Sequence, residues 1–300
     1  MTEALPFLAL PFLACLVLTG IHGYLGIHIV QREVIFVDLA LAQVAALGAV
    51  IAFLLGYELH GGGAYLTSVA FTWVGAALFA FTRTREHRVP QEAIIGIVYA
   101  VSAAAMVLVL DRAPQGAEHI RHTLVGNLLT VTGSQVWRTA ALYAAIGALH
   151  YAWQTKFLLI SVYPEEAHRR GLRVRLWDFL FYATFGLVVT SSVQIAGVLL
   201  VFSFLIVPAV CATYFVERFW TRLIFAWALG FAVSVLGLTA SYAGDLPTGA
   251  AVVCTFGLAV LVCGPLSAWL RRAGLLRAPE RGLSVSPAIV PPTPVSPPGR

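Results

Sequence analysis

The sequence contains very few charged residues. Of its 300 residues only 11% are Asp, Glu, Lys or Arg, whereas 59% are hydrophobic. Soluble globular domains carry about 25% charge, so the composition excludes a soluble enzyme, a nucleic-acid-binding protein and a secreted scaffold. A membrane-spanning helix needs roughly 20 apolar residues, and there are enough for eight or nine crossings. Because the alternation of barrel strands is absent, the composition predicts an all-α polytopic transmembrane helical bundle in the lipid bilayer.

Several reactive motifs are also missing. The phosphate-binding loop of ATPases needs a lysine after a glycine, and the single lysine, Lys156, follows Thr155. None of the four cysteines forms a C-x-x-C pair, and neither H-E-x-x-H nor G-x-S-x-G occurs. We therefore expect that the chain is not an enzyme, that it binds no cofactor, and that any ATP it depends on binds to another chain.

Nine apolar runs mark the predicted spans. The sixth run is short, and the polar stretch 190–194 separates it from the seventh, so eight full spans and one half-span is the alternative count. The runs are 5–27, 35–56, 64–82, 93–110, 138–155, 177–191, 195–216, 223–242 and 247–270.

The basic residues indicate the orientation. If the N-terminus is outside and all nine runs cross, sixteen of the nineteen Lys and Arg residues lie on one side. Cytoplasmic loops are enriched in Lys and Arg, so the sequence predicts an outside N-terminus and a cytoplasmic C-terminus. Residues 1–276 form the predicted transmembrane domain, and the Pro- and Ser-rich residues 277–300 form a predicted disordered cytoplasmic tail.

Asp38 is the clearest ionisable residue inside a span. A charged group there costs about 2.5–3.5 kcal/mol, so Asp38 either faces a transport pathway as a cation ligand, pairs with Arg32, or reaches water. Gln43 is a second polar candidate, about 140° further around the same helix. The histidines within the spans lack the spacing of a two-histidine zinc site and are expected to form hydrogen bonds. They are His22, His28 and His150.

Glycine and proline residues near the C-terminal spans have a predicted structural role. Gly197 permits close helix approach, and Pro208 is expected to kink the seventh run. Asp245, Pro247 and Gly249 form the predicted turn before the last span, where Asp245 can cap a helix and Pro247 can start one.

The segment 164–171 predicts a short helix at the membrane surface. A proline followed by two acids, with a glycine at the other end, is typical of a capped helix. The helix is either a connector on anionic lipid or a docking helix for a cytoplasmic partner. Its candidate contact residues are Glu165, Glu166, Ala167, Arg169, Arg170 and Gly171.

Several segments in order, across most of residues 20–265, resemble the permease subunit of zinc- and manganese-type ABC importers. The resemblance implies a bacterial plasma-membrane homodimer, a cytoplasmic ABC ATPase on each permease, and an extracytoplasmic solute-binding protein. It also implies that segment 164–171 contacts the ATPase. The matching segments are Gly26 with 32–48, and 92–97, 126–132, 164–171, 195–200, 204–209, 239–242 and 245–249.

The family's usual metal-handling positions are mostly substituted in this chain. The second span of the family usually carries an Asp and, four residues later, a His; here Leu39 and Gln43 occupy these positions, with Asp38 one residue early. The resemblance therefore makes Asp38 the main pathway acid and the candidate metal ligand, and Gln43 part of the polar lining.

Two further family positions also differ. A His of the fourth span corresponds to Ala100, beside Tyr99, and an acid that often follows Gly126 is Asn127. Tyr99 and Asn127 are accordingly expected to line the pathway as neutral polar groups.

The expected function is that of an ABC importer permease that moves a divalent metal ion, zinc or manganese, by ATP-driven alternating access. Two alternatives remain open from the sequence. One is an ATP-independent secondary transporter or channel that uses Asp38, and the other is a membrane scaffold that transports nothing.

Overall fold

A computed structural model describes residues 4–58, 61–83, 89–111 and 128–276. Over these ranges the chain forms eleven α-helices and no strand, which confirms the all-α prediction. A 3-10 turn, Leu128–Thr130, precedes the fifth helix. The helices are α1 (Ala4–Arg32), α2 (Val37–Leu54), α3 (Gly62–Thr82), α4 (Gln91–Leu110), α5 (Gly133–Ala152), α6 (Gln154–Val162), α7 (Pro164–Arg169), α8 (Val174–Ala196), α9 (Val198–Phe215), α10 (Phe219–Gly244) and α11 (Thr248–Arg272).

Eight described helices, α1–α4 and α8–α11, are long and apolar enough to cross a membrane. The run predicted over 138–155 forms α5 and the start of α6 and lies outside that set. Near the start of α5, a Cβ added to Gly133 would lie 3.9 Å from Cδ2 of Leu10. Near its end, the ring of His150 lies 5.5 Å from that of Tyr24. Helix α5 therefore runs beside α1 and parallel to it.

The sixth apolar run is a complete helix, so the alternative of a half-span there is wrong. Helix α8 continues through the polar stretch 190–194 to Ala196. The hydroxyls of Ser191 and Ser192 donate to carbonyls one turn earlier, at 3.0 and 2.7 Å, so these polar groups are satisfied within their own helix. The chain turns instead at Gly197, whose φ of 75° and ψ of 162° suit only glycine.

The helices pack in two groups. The first helix group contains α2, α3, α4 and α8, and the second contains α1, α9, α10 and α11, with α5 and α6 against α1. Glycines mark close approaches inside both groups. A Cβ at Gly186 would lie 3.1 Å from Cβ of Thr72, and one at Gly230 would lie 2.7 Å from Cγ2 of Thr19. Such small residues let helix backbones pack closely in a membrane.

The other predicted structural residues lie in and between the last three helices. Pro208 is buried inside α9, which continues past it as helix. Asp245 follows the end of α10 with a left-handed φ of 51°, and it caps no N-terminus with its side chain. Pro247 directly precedes α11, and Gly249 is the second residue of that helix. The predicted tail, 277–300, lies outside the described residues.

Candidate functional site

A cavity of about 720 Å³ lies at one end of the bundle, which is termed the arginine face. It is bounded by the ends of α1 and α3, the starts of α4 and α8, and the short helix α7. Four arginines and four carboxylates line the cavity, so its formal charges balance. They are Arg32, Arg83, Arg173, Arg175, Glu33, Glu92, Glu165 and Asp178.

Asp178 is the centre of a buried ionic network at this cavity. Nη1 of Arg32 donates to Oδ1 of Asp178 at 2.7 Å, and Nη1 of Arg83 reaches both carboxylate oxygens, at 3.0 and 2.9 Å. Asp178 is fully buried, and a buried carboxylate requires such partners. Burial lowers the pKa of the Arg83 guanidinium, but the adjacent Asp178 carboxylate outweighs this and raises that pKa above its ordinary value, so Arg83 stays charged.

The network continues from Arg32 into α6. Nε of Arg32 donates to Oγ of Ser161 at 2.9 Å, and the same oxygen lies 2.9 Å from Nδ1 of His28. The ionic partner of Arg32 is therefore Asp178, so the alternative in which Asp38 pairs with Arg32 is wrong.

Asp38 lies in the first turn of α2 and is 1% exposed. Its Oδ1 accepts the N–H of Leu39 at 2.7 Å. Glu92, in the first turn of α4, acts on Asp38 electrostatically and lines the cavity. Oε1 of Glu92 accepts the N–H of Phe36 at 3.0 Å, while Oε2 has no hydrogen-bond partner among the described residues. Glu92 lines the cavity and Asp38 does not, and carboxylate oxygens such as these are ligands that divalent cations accept.

Of the other predicted pathway residues, only Gln43 is buried, like Asp38, in the described part of the bundle. Gln43 is 5% exposed, and its Oε1 has no hydrogen-bond partner in the described part of the chain. Tyr99 is 41% exposed and lies beside outward-facing residues of α4. Asn127 lies outside the described residues. The structure instead brings Glu92 near the start of α2. In the sequence, Glu92 stands out only as part of the matching segment 92–97.

The histidines inside the bundle are hydrogen-bonded, as predicted. Besides the bond of His28 to Ser161, Nε2 of His150 lies 2.8 Å from Oγ1 of Thr184, and Nε2 of His22 lies 3.2 Å from Oγ of Ser192. Across the described ranges, no three His, Cys, Asp or Glu side chains form a preformed metal cluster.

The predicted surface helix is present as α7, beside the cavity. Ala167 is fully buried and packs against the end of α6 and the start of α8. Oε1 of Glu166 accepts from Nε of Arg170 at 2.6 Å, and the side chain of Arg169 is 70% exposed. Gly171 ends the segment with a φ of 70°. The helix is therefore anchored by an apolar residue and presents charged groups outward.

Comparison with known proteins identifies the family. The model of the ABC 3 transport family matches residues 4–264. The chain belongs to this family. Together with the eight apolar helices, membership makes it a multi-pass protein of the bacterial inner membrane and a transport subunit.

Individual relatives of this ABC 3 family protein are distant but cover most of its length. The manganese transport system membrane protein MntC of Listeria innocua is 26% identical over 233 residues, 78% of this chain and 81% of the relative. A Haemophilus influenzae protein named "Probable iron transport system membrane protein" is 28% identical over 247 residues, 82% and 89% of the two chains. The solved structure of PsaBC from Streptococcus pneumoniae in complex with Fab matches with a TM-score of 0.74 and 22% identity. That match covers 91% of this chain and 98% of the other, and it shows the same fold.

Proposed function

We propose that the chain is the membrane-spanning permease of an ABC importer that moves a divalent metal ion by ATP-driven alternating access. The observation that carries the proposal is a pair of carboxylates in an ABC 3 family protein: Asp38 is buried in α2, and Glu92 lines the cavity and accepts a hydrogen bond from Phe36, two residues before Asp38. Relatives named for manganese and iron transport support a metal as the cargo.

The donor atoms favour manganese over zinc. The ligand atoms that Asp38, Glu92 and Gln43 offer are oxygens, whereas the histidines inside the bundle are engaged with hydroxyl groups. Carboxylate and carbonyl oxygens suit Mn²⁺, and imidazole suits Zn²⁺. We infer that Asp38 and Glu92 are the pathway ligands, with Gln43 as a polar neighbour.

The arginine face is the proposed cytoplasmic side, because four arginines line the cavity there and cytoplasmic loops are enriched in Lys and Arg. Helix α7 would dock on a separate ATP-hydrolysing subunit, which accounts for the absence of a phosphate-binding loop in this chain. An extracytoplasmic solute-binding protein would deliver the ion to the opposite face, and two copies of the permease would form the transport unit.

The pathway is tested by metal uptake into proteoliposomes that contain the permease, its ATPase and its binding protein. We expect Asp38→Asn to abolish ATP-dependent Mn²⁺ uptake, because the substitution removes the carboxylate ligand while keeping the shape of the side chain. Asp245→Asn is the matched control, since this carboxylate lies in a turn where Asn also tolerates a left-handed φ. Uptake by Asp38→Asn at the unsubstituted rate would refute the assignment.

The docking role of α7 is tested by co-purification with the ATPase. Reversing two outward charges, Arg169→Glu with Arg170→Glu, is expected to remove most of the ATPase from the purified complex. Arg138→Glu reverses an exposed charge near the start of α5, away from the arginine face, and should leave assembly unchanged. Equal ATPase recovery with all three proteins would contradict docking through α7.

A further inference from the structure

Helix α8 carries four buried polar residues that contact α1 and α5. Asp178 and Ser192, fourteen residues apart, lie on one side and reach α1, whereas Thr184 and Ser191, seven residues apart, lie roughly 100° further around the helix and reach α5. These four residues and their partners are termed the polar seam. The partners are Arg32 and His22 of α1 and Tyr143 and His150 of α5.

The polar seam extends along much of α8. At the arginine face it begins with the ion pair of Asp178 and Arg32, 2.7 Å apart. One to two turns further, His150 contacts Thr184 at 2.8 Å. Beyond that, Tyr143 contacts the hydroxyls of both Ser191 and Ser192, and its OH also lies 3.3 Å from the carbonyl oxygen of Val188. His22 reaches Ser192 as well.

Contacts within each helix group have a different character. Close glycine approaches in the first group are found at Gly48, Gly75 and Gly186, and those in the second group at Gly23, Gly26, Gly230 and Gly237. A backbone seated against a neighbouring helix in this way cannot slide without steric clash. The side-chain hydrogen bonds of the polar seam can exchange partners.

The α8 side of the polar seam keeps hydrogen-bond partners when contacts across it change, whereas the hydroxyl of Tyr143 has its partners on α8 and must exchange one of them for another. The hydroxyls of Thr184, Ser191 and Ser192 each donate to a carbonyl of α8 itself, at 2.7–3.0 Å. Separation therefore leaves no buried donor of these residues unpaired, which is the costly outcome.

The charged end of the polar seam follows the same rule. If Arg32 withdraws, Asp178 keeps both contacts to Arg83 of its own group. Arg32 in turn keeps its bond to Ser161 and borders the cavity. Asp178 therefore stays ion-paired, whereas Arg32 exchanges its ionic partner for a hydroxyl group and the border of the cavity.

We propose that the polar seam is the surface along which the two helix groups move relative to each other during transport, with the turn at Gly197 as a connection between them. Asp178 and the other three residues on α8 then act as positioning residues for the motion. The inference rests on the proposed transport function, because it identifies the plane of motion that alternating access requires.

Reversible cross-links test the proposal in the complete complex with ATPase and binding protein. The four native cysteines are first replaced by alanine. A short bis-methanethiosulfonate reagent then joins Tyr143→Cys to Ser192→Cys across the polar seam. In the control, a disulfide joins Thr72→Cys to Gly186→Cys inside the first group, where the Cβ positions are 3.1 Å apart.

We expect the cross-link across the polar seam to arrest ATP-dependent Mn²⁺ uptake and a reductant to restore it, whereas the control disulfide leaves uptake unchanged. Uptake by the chain cross-linked across the seam at the rate of its reduced form would overturn the proposal. If the unsubstituted complex imports no Mn²⁺, the proposed function fails, and a measurement that needs no cargo then decides on the seam.

That measurement uses spin-label distances with and without ATP in the same complex. Labels at Val101 of α4 and Leu261 of α11 report across the groups, and labels at Leu66 of α3 and Val101 report within the first group. All three positions are exposed at the bundle surface. The first distance should shift on ATP binding and the second should not. Equal behaviour of the two pairs would contradict motion along the polar seam.

Discussion

At the residue scale, Asp178 neutralises two arginines that reach it from different helices. Arg32 and Arg83 lie 146 and 95 residues away in the sequence. Removing one partner of a buried ion pair costs more than the pair itself contributes, because a charge remains in a medium of low dielectric constant. Asp178 therefore matters for stability as well as for the proposed motion.

Asp178→Asn is expected to lower the free energy of unfolding by about 3–5 kcal/mol, since Arg32 loses its ionic partner in the bundle. Thermal unfolding in detergent measures the change. Glu166→Gln, which breaks the more exposed pair with Arg170 on α7, is the matched control and should cost less than about 1 kcal/mol. Equal unfolding temperatures for the two variants would contradict the role of the network.

Two glycines of α1 give a sharper steric comparison. A Cβ at Gly26 would collide with the carbonyl oxygen of Leu205 in α9, whereas one at Gly20 meets nothing within 4 Å. Gly26→Ala should destabilise the protein by about 1–3 kcal/mol or more through overpacking. Gly20→Ala should be neutral or stabilising by up to about 1 kcal/mol, because alanine favours helix. Differential scanning fluorimetry separates the two, and an equal effect at both positions would refute the α1–α9 contact.

Sequence alone identified Asp38, because it is a carboxylate within an apolar run. It did not identify Asp178, which lies at the start of such a run and looks like a boundary residue. The partners that give Asp178 its role come from α1 and α3, and no local pattern encodes contacts of that range. Glu92 was similarly hidden, since an acid in the first turn of a helix already has an ordinary explanation in the helix dipole.

At the scale of single elements, the turn between α8 and α9 depends on one residue. Gly197 has a φ of 75° and a ψ of 162°, a backbone region that other residues adopt at a cost of about 1–3 kcal/mol. Gly197→Ala should lower stability by that amount and slow uptake, because this turn connects the two helix groups. Gly257→Ala in α11, where an added Cβ meets nothing within 4 Å, should do neither. Normal stability and uptake in Gly197→Ala would contradict a constrained turn.

The type of the elements could be predicted because a long apolar run has few structures available in lipid, and eight of the nine runs form described helices long and apolar enough to cross a membrane. The continuation of α8 through 190–194 could not be predicted, since hydroxyl side chains that disfavour a helix in water bond to their own helix carbonyls here. Gly197, named for its packing, instead provides the turn. Which runs pack together is likewise a property of side-chain fit between distant segments, which hydropathy does not record.

At the scale of the whole molecule, the two helix groups meet at the polar seam above a cavity with balanced charge, and the acids Asp38 and Glu92 lie in the first group. Under the proposed function, α7 would pass movement of the partner ATPase to the end of α6 and the start of α8, against which it packs.

The most direct test is the ATP dependence of Mn²⁺ uptake in proteoliposomes. The account predicts uptake when the permease, its ATPase and its binding protein are present with ATP, and no uptake by the lone permease or by the complex without ATP. Mn²⁺ entry through the lone permease in the absence of ATP, blocked by Asp38→Asn, would contradict the account and establish an ATP-independent transporter instead.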